Sequence, residues 1–551
     1  MRKPAAANKP RTAKVVTYPA PIGGWIKNQN LAIPGARRPD GSPVNGAAVL
    51  ENWFPIATGI RMRGGSQVHA TIDSGEDIVS MFTYVNGNNA SLFAATATAI
   101  FDATLAISAA FLVDDLSDFL VDDLGNFLAT SGISTPAVGS LTGGEWSVVQ
   151  FATPGGVFLR GVNGINTPQV YDGTSWSTTP AITVVDPTTL SNVFVYKQRL
   201  FFIQKDSLTA WYLPVDSVGG AAVKLPLGGV FNRGGSLLFG ASWSIDSGAG
   251  LSAQCIFVST EGQVAVYQGT DPSVSTAWSL VGVYRIGKPL GPKAWIHAGG
   301  DLVIATDVGF IPLSQAVQRD YAALSPSAIS YSIETAWNEE VAARSGEFWH
   351  CEVWPSKQMV LIALPTTSGT TPQMFVANAR TGAWAPFTGW NATCVQLFGD
   401  RLFFGSTLGK IIEAETTGAD QGEVYTSTVV PLFDPLKSPA SLKTGLSARA
   451  TVLAPQDVEI NLSFQHDYTI SLPPPPDDIV VPSGSIWGVG IWGVSKWGAT
   501  AIKRVFQKWK SISGSGYAVA PAAQISSGGI ISPDVELVAI DMTYDLGDIV
   551  T

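Results

Sequence analysis

Gly300-Asp301-Leu302-Val303-Ile304-Ala305-Thr306-Asp307-Val308-Gly309 and Asp400-Arg401-Leu402-Phe403-Phe404-Gly405-Ser406-Thr407-Leu408-Gly409 are two copies of one phrase. Each is a short apolar run, then a polar turn, with glycine seven positions after the first apolar residue. A second apolar run follows each copy, Phe310-Ile311-Pro312-Leu313 and Ile411-Ile412. The phrase recurs as Cys255-Ile256-Phe257-Val258 leading to Gly262, and as Val157-Phe158-Leu159 leading to Gly164. Leu92-Phe93-Ala94 and Leu200-Phe201-Phe202 fit with Ala99 and Ser207 in place of the glycine. A looser copy, Met359-Val360-Leu361-Ile362-Ala363, has its turn enlarged by Thr366 to Thr371. Apolar runs of this length bounded by Gly and polar residues read as strands of a hairpin, and Gly supplies the positive φ of a tight turn. The copies recur at a mean interval of about 52 residues, the mark of propeller blades with several strands each. The expected fold is therefore all-β: a β-propeller of six or seven blades over 75–418, with a further β-rich platform domain. The competing reading is a β-sandwich whose hairpins resemble one another by accident.

The flanks fall outside the repeat. Residues 1–20 read as a basic arm, with Arg2, Lys3, Lys9, Arg11 and Lys14 and no acid before residue 15. No apolar stretch follows to make a signal peptide. Residues 21–74 and 419–551 are the expected N- and C-terminal parts of the platform. The second part is interrupted by Pro473-Pro474-Pro475-Pro476, an extended linker or loop. Trp487-Gly488, Trp492-Gly493 and Trp497-Gly498 recur at intervals of five, an odd spacing that cannot keep three Trp on one face of a strand. Between the first two blades, Phe111 to Asp118 is repeated as Phe119 to Asn126. Asp114, Asp115, Asp122 and Asp123 suggest a cation site, but the repeat lacks the Gly and Glu of a calcium-binding loop, and an inserted solvated hairpin is the plainer reading.

Composition narrows function. Of 551 residues 46% are hydrophobic and only 14% charged, with a formal net charge of −10. No stretch reaches the ~20 apolar residues of a membrane-spanning helix, and the acidic balance argues against a nucleic-acid binder. Cys255, Cys351 and Cys394 have no CxxC pairing, and Cys255 and Cys351, in apolar runs, read as small buried hydrophobes. His69, His297, His350 and His466 stand apart, with His297 expected in the core, and no zinc-protease, serine-hydrolase or P-loop motif is present. No catalytic residue, cofactor or metal is expected. Glycoside hydrolysis needs only two carboxylates and stays open, although Asp172, Asp246, Asp271 and Asp301 read as turn residues.

Asn45-Gly46-Ala47-Ala48-Val49-Leu50-Glu51-Asn52-Trp53-Phe54-Pro55, followed by Gly59-Ile60-Arg61-Met62-Arg63-Gly64-Gly65, resembles the opening of the tail nozzle proteins (tail tubular protein B-like) of short-tailed phages, the podoviruses. The resemblance extends to Phe231–Leu238, Ser242–Gly250, Val266–Pro272, Leu280–Pro289 and Asn378–Trp384, so it spans most of the chain. It implies a non-enzymatic virion protein, assembled in the bacterial cytoplasm into a homo-oligomeric, usually hexameric ring below the portal and adaptor. Such a ring continues the DNA channel, retains the genome and passes it at ejection without sequence-specific binding; tail fibres or spikes are further possible partners. On this reading Trp53 and Phe54 are buried anchors of the platform, and Arg61 and Arg63 make polar contacts to a neighbouring chain. The alternative is that Trp53 and Phe54 staple the first strand to their own domain. Two other functions compete: a tail propeller that binds or hydrolyses glycans as a depolymerase, and a monomeric interaction scaffold.

Overall fold

The computed structural model describes residues 13–28, 45–106, 110–111, 129–130, 132–246, 251–477, 503–529 and 531–549. The basic residues Arg2, Lys3, Lys9 and Arg11, the acidic repeat after Phe111 and the three Trp-Gly pairs lie outside them. The chain divides into two compact units: residues 1–66, 376–388 and 415–551, and residues 67–375 with 389–414.

Among the described residues the second unit forms a β-propeller whose blades are seven antiparallel sheets. In chain order their second strands are Asn89–Ala95, Gly156–Val162, Arg199–Gln204, Leu251–Ser259, Asp301–Thr306, Met359–Leu364 and Arg401–Gly405. Each of these carries one copy of the repeated phrase. The phrase is apolar throughout because a second strand is covered on both faces. Leu92 and Ala94 enter one core cluster with Phe403 and Ile411 of the seventh sheet, while Phe93 and Ala95 enter another with Trp146 and Leu159 of the second. Ile256 and Val258 likewise pack with Leu302 and Ile304, whereas Cys255 and Phe257 pack with Phe194 and Phe201. A strand enclosed on both faces reads as a continuous hydrophobic run rather than an alternating one.

Each sheet packs on the next, and the seventh packs on the first through Cys394–Phe398 and Ser80–Asn86. The ring is also closed by strand exchange: Ser66–Thr71, from before the first sheet, is the outermost strand of the seventh, beside Lys410–Ala414. The expected propeller start at 75 therefore moves to 67. After the fifth sheet, residues 313–343 are helical where only strands were expected, ending in Glu334–Ala343. Fully buried Trp337 anchors that helix by donating its indole N–H to the Thr306 carbonyl at 2.9 Å.

The first unit is a two-sheet β-sandwich built from both ends of the chain. One sheet pairs Lys14–Pro19, Glu536–Ile549, Ser441–Ala454 and Arg504–Ser511 and carries the hairpin Trp53–Pro55/Ile60–Met62; the other has the order Ala47–Glu51, Tyr425–Pro431, Val519–Ser527, Asn461–His466. Their inner faces meet through Leu50, Val429, Val519, Ala523 and Ile525 on one side and Trp53, Met62, Ala450, Leu537 and Met542 on the other.

Candidate functional sites: the sandwich clamp and the propeller axis

The residues singled out in the sequence come together in the sandwich. Trp53 is fully buried and Phe54 is 2% exposed. Between Ala47–Glu51 and the strand Trp53–Pro55 that holds them both, Asn52 takes a left-handed φ of 59°, which an Asn tolerates well. Its side chain accepts from Arg63 Nε and from the Thr388 amide, and donates to the Thr426 carbonyl. Arg63 is fully buried and spends every N–H inside its own unit. Nε donates to Asn52 Oδ1 at 2.8 Å, Nη1 to Asp420 Oδ1 at 2.9 Å and to the Gly64 carbonyl, and Nη2 to Asp420 Oδ2 and the Thr388 carbonyl. The guanidinium also lies 4.0 Å from the Tyr425 ring centroid, a cation–π contact. This is the two-pronged Arg–carboxylate geometry that makes a charge pair strong and directional. No donor is left for a neighbouring chain. Arg61 is the more exposed of the two and pairs with Glu415 at 2.9 Å; Glu415 also accepts from the Gly64 amide at 2.8 Å. Gly65 is required here, because a Cβ at this position would stand 2.1 Å from the Ala419 carbonyl oxygen. The cluster ties the N-terminal flank to the C-terminal one.

A second constellation, on the propeller axis, was not anticipated. Glu145, Lys293, His350 and Cys394 all lie at or just before the start of a first strand, in the second, fifth, sixth and seventh sheets. Glu145 Oε2 reaches to 4.0 Å from His350 Nε2. His350 is 3% exposed and its Nε2 has no hydrogen-bond partner. Glu145 keeps 40% of its side-chain surface open to water, yet burial still dominates its titration. Burial raises Glu145 against the pull of Lys293, and lowers Lys293 against the pull of Glu145, Cys394 and Glu352. Burial, then the Lys293 charge, holds His350 well below the ordinary histidine range. Glu352 is pushed up to about 7 by burial, opposed by backbone hydrogen bonds from Val353 and Leu397 and by Lys293. The cluster thus sets a neutral imidazole beside an amine and two carboxyls whose charged forms burial disfavours, an arrangement able to hold and exchange protons. Its one local trace in the sequence is Trp349-His350-Cys351-Glu352, where alternation puts His350 and Glu352 on one face of a strand.

The other sequence candidates have structural roles. Asp172 and Asp271 accept backbone amides two residues on, as turn residues do. Asp301 accepts from Trp243 Nε1 and Ser314 Oγ. Cys255 and Cys394 are buried and Cys351 partly so, all as free thiols. His297 is exposed rather than in the core: strand alternation turns Ile296 inward, 6% exposed, and leaves the His297 ring edge-on to Trp295 at 5.2 Å. Among the described residues, no group of three or more His, Cys, Asp and Glu side chains is placed to hold a metal ion.

No family model and no curated protein matches the chain. Among solved structures it is similar to the computationally designed Ika8 protein, with a TM-score of 0.33 and 10% identity over 63% of this chain and 99% of that one. It is also similar to BBS1N from a complex with ARL6DN, with a TM-score of 0.37 and 11% identity over 68% of this chain and 100% of that one.

Proposed function

We propose that this chain is a structural subunit of a short-tailed phage tail, one copy of a ring that lies below the portal and adaptor and continues the DNA channel. The observation that carries the reading is the open edge of the sandwich. Among the described residues Arg504–Ser511 pairs on one side only, with Ser441–Ala454, and exposes Val505 (59%) and Trp509 (47%). Leu446 and Val15 in the same sheet are exposed as well. Lys508 and Lys510 charge this edge in the way a lone chain blunts one, but both are paired within the chain, with Asp457 and Glu459, which leaves Val505 and Trp509 for a neighbour to cover; ring contacts bury unlike surfaces on each copy. Resemblance to nozzle proteins in the segment 45–65, which folds into this same unit, supports the assignment. DNA then passes between the copies, because the propeller axis is crossed by Glu145 and His350. The acidic balance of the chain suits passage without retention, since phosphate binding runs on basic contacts and counterion release. Val505→Glu with Trp509→Glu tests the assignment: assembly of the ring is lost while the unfolding temperature of the subunit stays unchanged. An edge that tolerates both charges within an intact ring would remove the observation on which the reading rests.

A second reading is favoured by one observation. Glu145 and Glu352 are two carboxyls raised by burial near the start of the propeller's first strands, and glycoside hydrolysis uses such a pair. It predicts loss of cell-surface polysaccharide on incubation with the protein, abolished in Glu352→Gln.

A further inference from the structure

The fifth propeller sheet has three strands among the described residues, and the chain leaves it as the helix Leu313–Gln318 and the turn Tyr321–Ala323. These stand beside Trp278–Arg285, the outermost strand of the fourth sheet, which among the described residues pairs on one side only. Between them opens a cleft of about 530 Å³, whose lining includes Val283, Tyr284, Arg285, Val317, Arg319 and Tyr321. Leu280, Val281 and Val283 leave the strand apolar and exposed. The Arg285 guanidinium lies 3.6 Å from the Tyr321 ring centroid, a cation–π contact that holds its plane. Among the described residues neither Arg285 nor Arg319 makes an ion pair or a side-chain hydrogen bond. Asp320, the one carboxylate of the lining, caps the Ala322 amide. A free strand edge with apolar side chains and unpaired guanidinium groups fits an extended apolar and acidic segment, added as a strand with its carboxylates on the arginines.

The chain supplies such a segment twice over. Phe111–Asp118 and Phe119–Asn126 each set two aspartates directly after Phe-Leu-Val, Asp114-Asp115 and Asp122-Asp123. We propose that this acidic repeat docks in the fourth-sheet cleft of another copy of the chain, its aspartates on Arg285 and Arg319. The contact deepens the ring assignment above and rests on it. Reach selects another copy over the same one. The repeat lies between residues of one ladder, which pairs Phe111 with Ala129. Just past it, Ile133 bridges to Ile72, beside the outermost strand of the seventh sheet. In a ring of seven the fourth sheet lies opposite, and with a four-stranded sheet about 14 Å across, its outer edge is on the order of 28 Å away or more. No aspartate of the repeat is more than seven residues from the ladder, a reach of at most about 24 Å.

Fluorescence anisotropy of a labelled peptide of residues 111–126 tests this. The receiver is the full chain with Asp114, Asp115, Asp118, Asp122 and Asp123 replaced by Asn, so that its own repeat does not compete. Saturable binding is expected, weakened about tenfold or more by Arg285→Ala with Arg319→Ala in the receiver, or by the same five Asn changes in the peptide. General charge attraction would not produce it, because the receiver stays net acidic after the five changes. Both arginines are exposed, so their loss should leave the unfolding temperature of the receiver unchanged. No saturable binding, or binding indifferent to the arginines, would overturn the proposal. Should the arginine variant fail to fold, the Asn peptide decides alone: loss of binding supports the site and full retention contradicts it. Ring formation by the wild-type chain is read separately. Rings without peptide binding would overturn this contact and leave the assembly standing, whereas peptide binding without rings would keep the contact and remove the assembly.

Discussion

Replacing Asp420 by Asn tests whether the sandwich depends on the Arg63 pair. Arg63 is fully buried, and Asp420 is its carboxylate, contacted through both Nη1 and Nη2 with 12% of its side chain exposed. Asparagine keeps one acceptor oxygen but removes the charge and sets an amide donor against the guanidinium. Breaking a buried pair from one side costs roughly 3–5 kcal/mol, because the surviving charge stays buried. For a unit of this size each kcal/mol moves the midpoint by about 2–4 °C, so a fall on the order of 6–20 °C follows. Removing both members, as Arg63→Met with Asp420→Leu, leaves no orphan charge and is expected to cost less than Asp420→Asn alone. The assay is thermal and urea unfolding followed by tryptophan fluorescence, since buried Trp53 directly follows Asn52, which accepts from Arg63. A shift under about 2 °C for Asp420→Asn, or a double variant as unstable as the single one, would show that the sandwich does not depend on the Arg63 pair.

Three further outcomes follow from the propeller and the clamp. Phe201 is fully buried and stacks on Phe194, Tyr212 and Trp278; Phe201→Ala is expected to lose about 3–5 kcal/mol in urea unfolding. Gly65→Ala, which drives a Cβ into the Ala419 carbonyl, should yield little soluble protein. Gly87→Ala, at a turn with a φ of 60° but nothing near the added carbon, should lose only about 1 kcal/mol. At the axis the pH dependence has two opposed parts. Glu352 is raised to about 7, above its unfolded value, so its stabilising contribution is present at low pH and is lost as pH rises through about 7. His350 is lowered, so its contribution is present above the unfolded histidine value and is lost as pH falls below it. Melting between pH 5 and 8 should therefore show a smaller alkaline loss in Glu352→Gln and a smaller acid loss in His350→Gln, each relative to the wild type.

The repeat was legible because each second strand is enclosed on both faces, which writes its burial into consecutive residues such as Leu402-Phe403-Phe404. Ring closure was not legible in the same way. Ser66–Thr71 pairs with Lys410–Ala414, and nothing local in either strand names a partner so far along the chain. The helical stretch ending in Glu334–Ala343 is only weakly amphipathic, with Ala336 and Trp337 as its buried residues, so it gave little periodicity to find. Trp53, Phe54, Arg61 and Arg63 stood out as a group and do fold as one. What the sequence could not supply was the count of Arg63's partners, since Asp420 and Thr388 are more than 300 residues away. The axial cluster is hidden for the same reason. Glu145, Lys293 and His350 become neighbours only when sheets from different parts of the chain converge on the axis.

Assembly into a ring is the property proposed for this chain. Negative-stain imaging with mass measurement of the purified chain, alone and with a candidate adaptor complex, tests it most directly. Closed rings of identical copies, free or seated on the adaptor, are the expected result. A monomer under every condition that also strips polysaccharide from cells would contradict it.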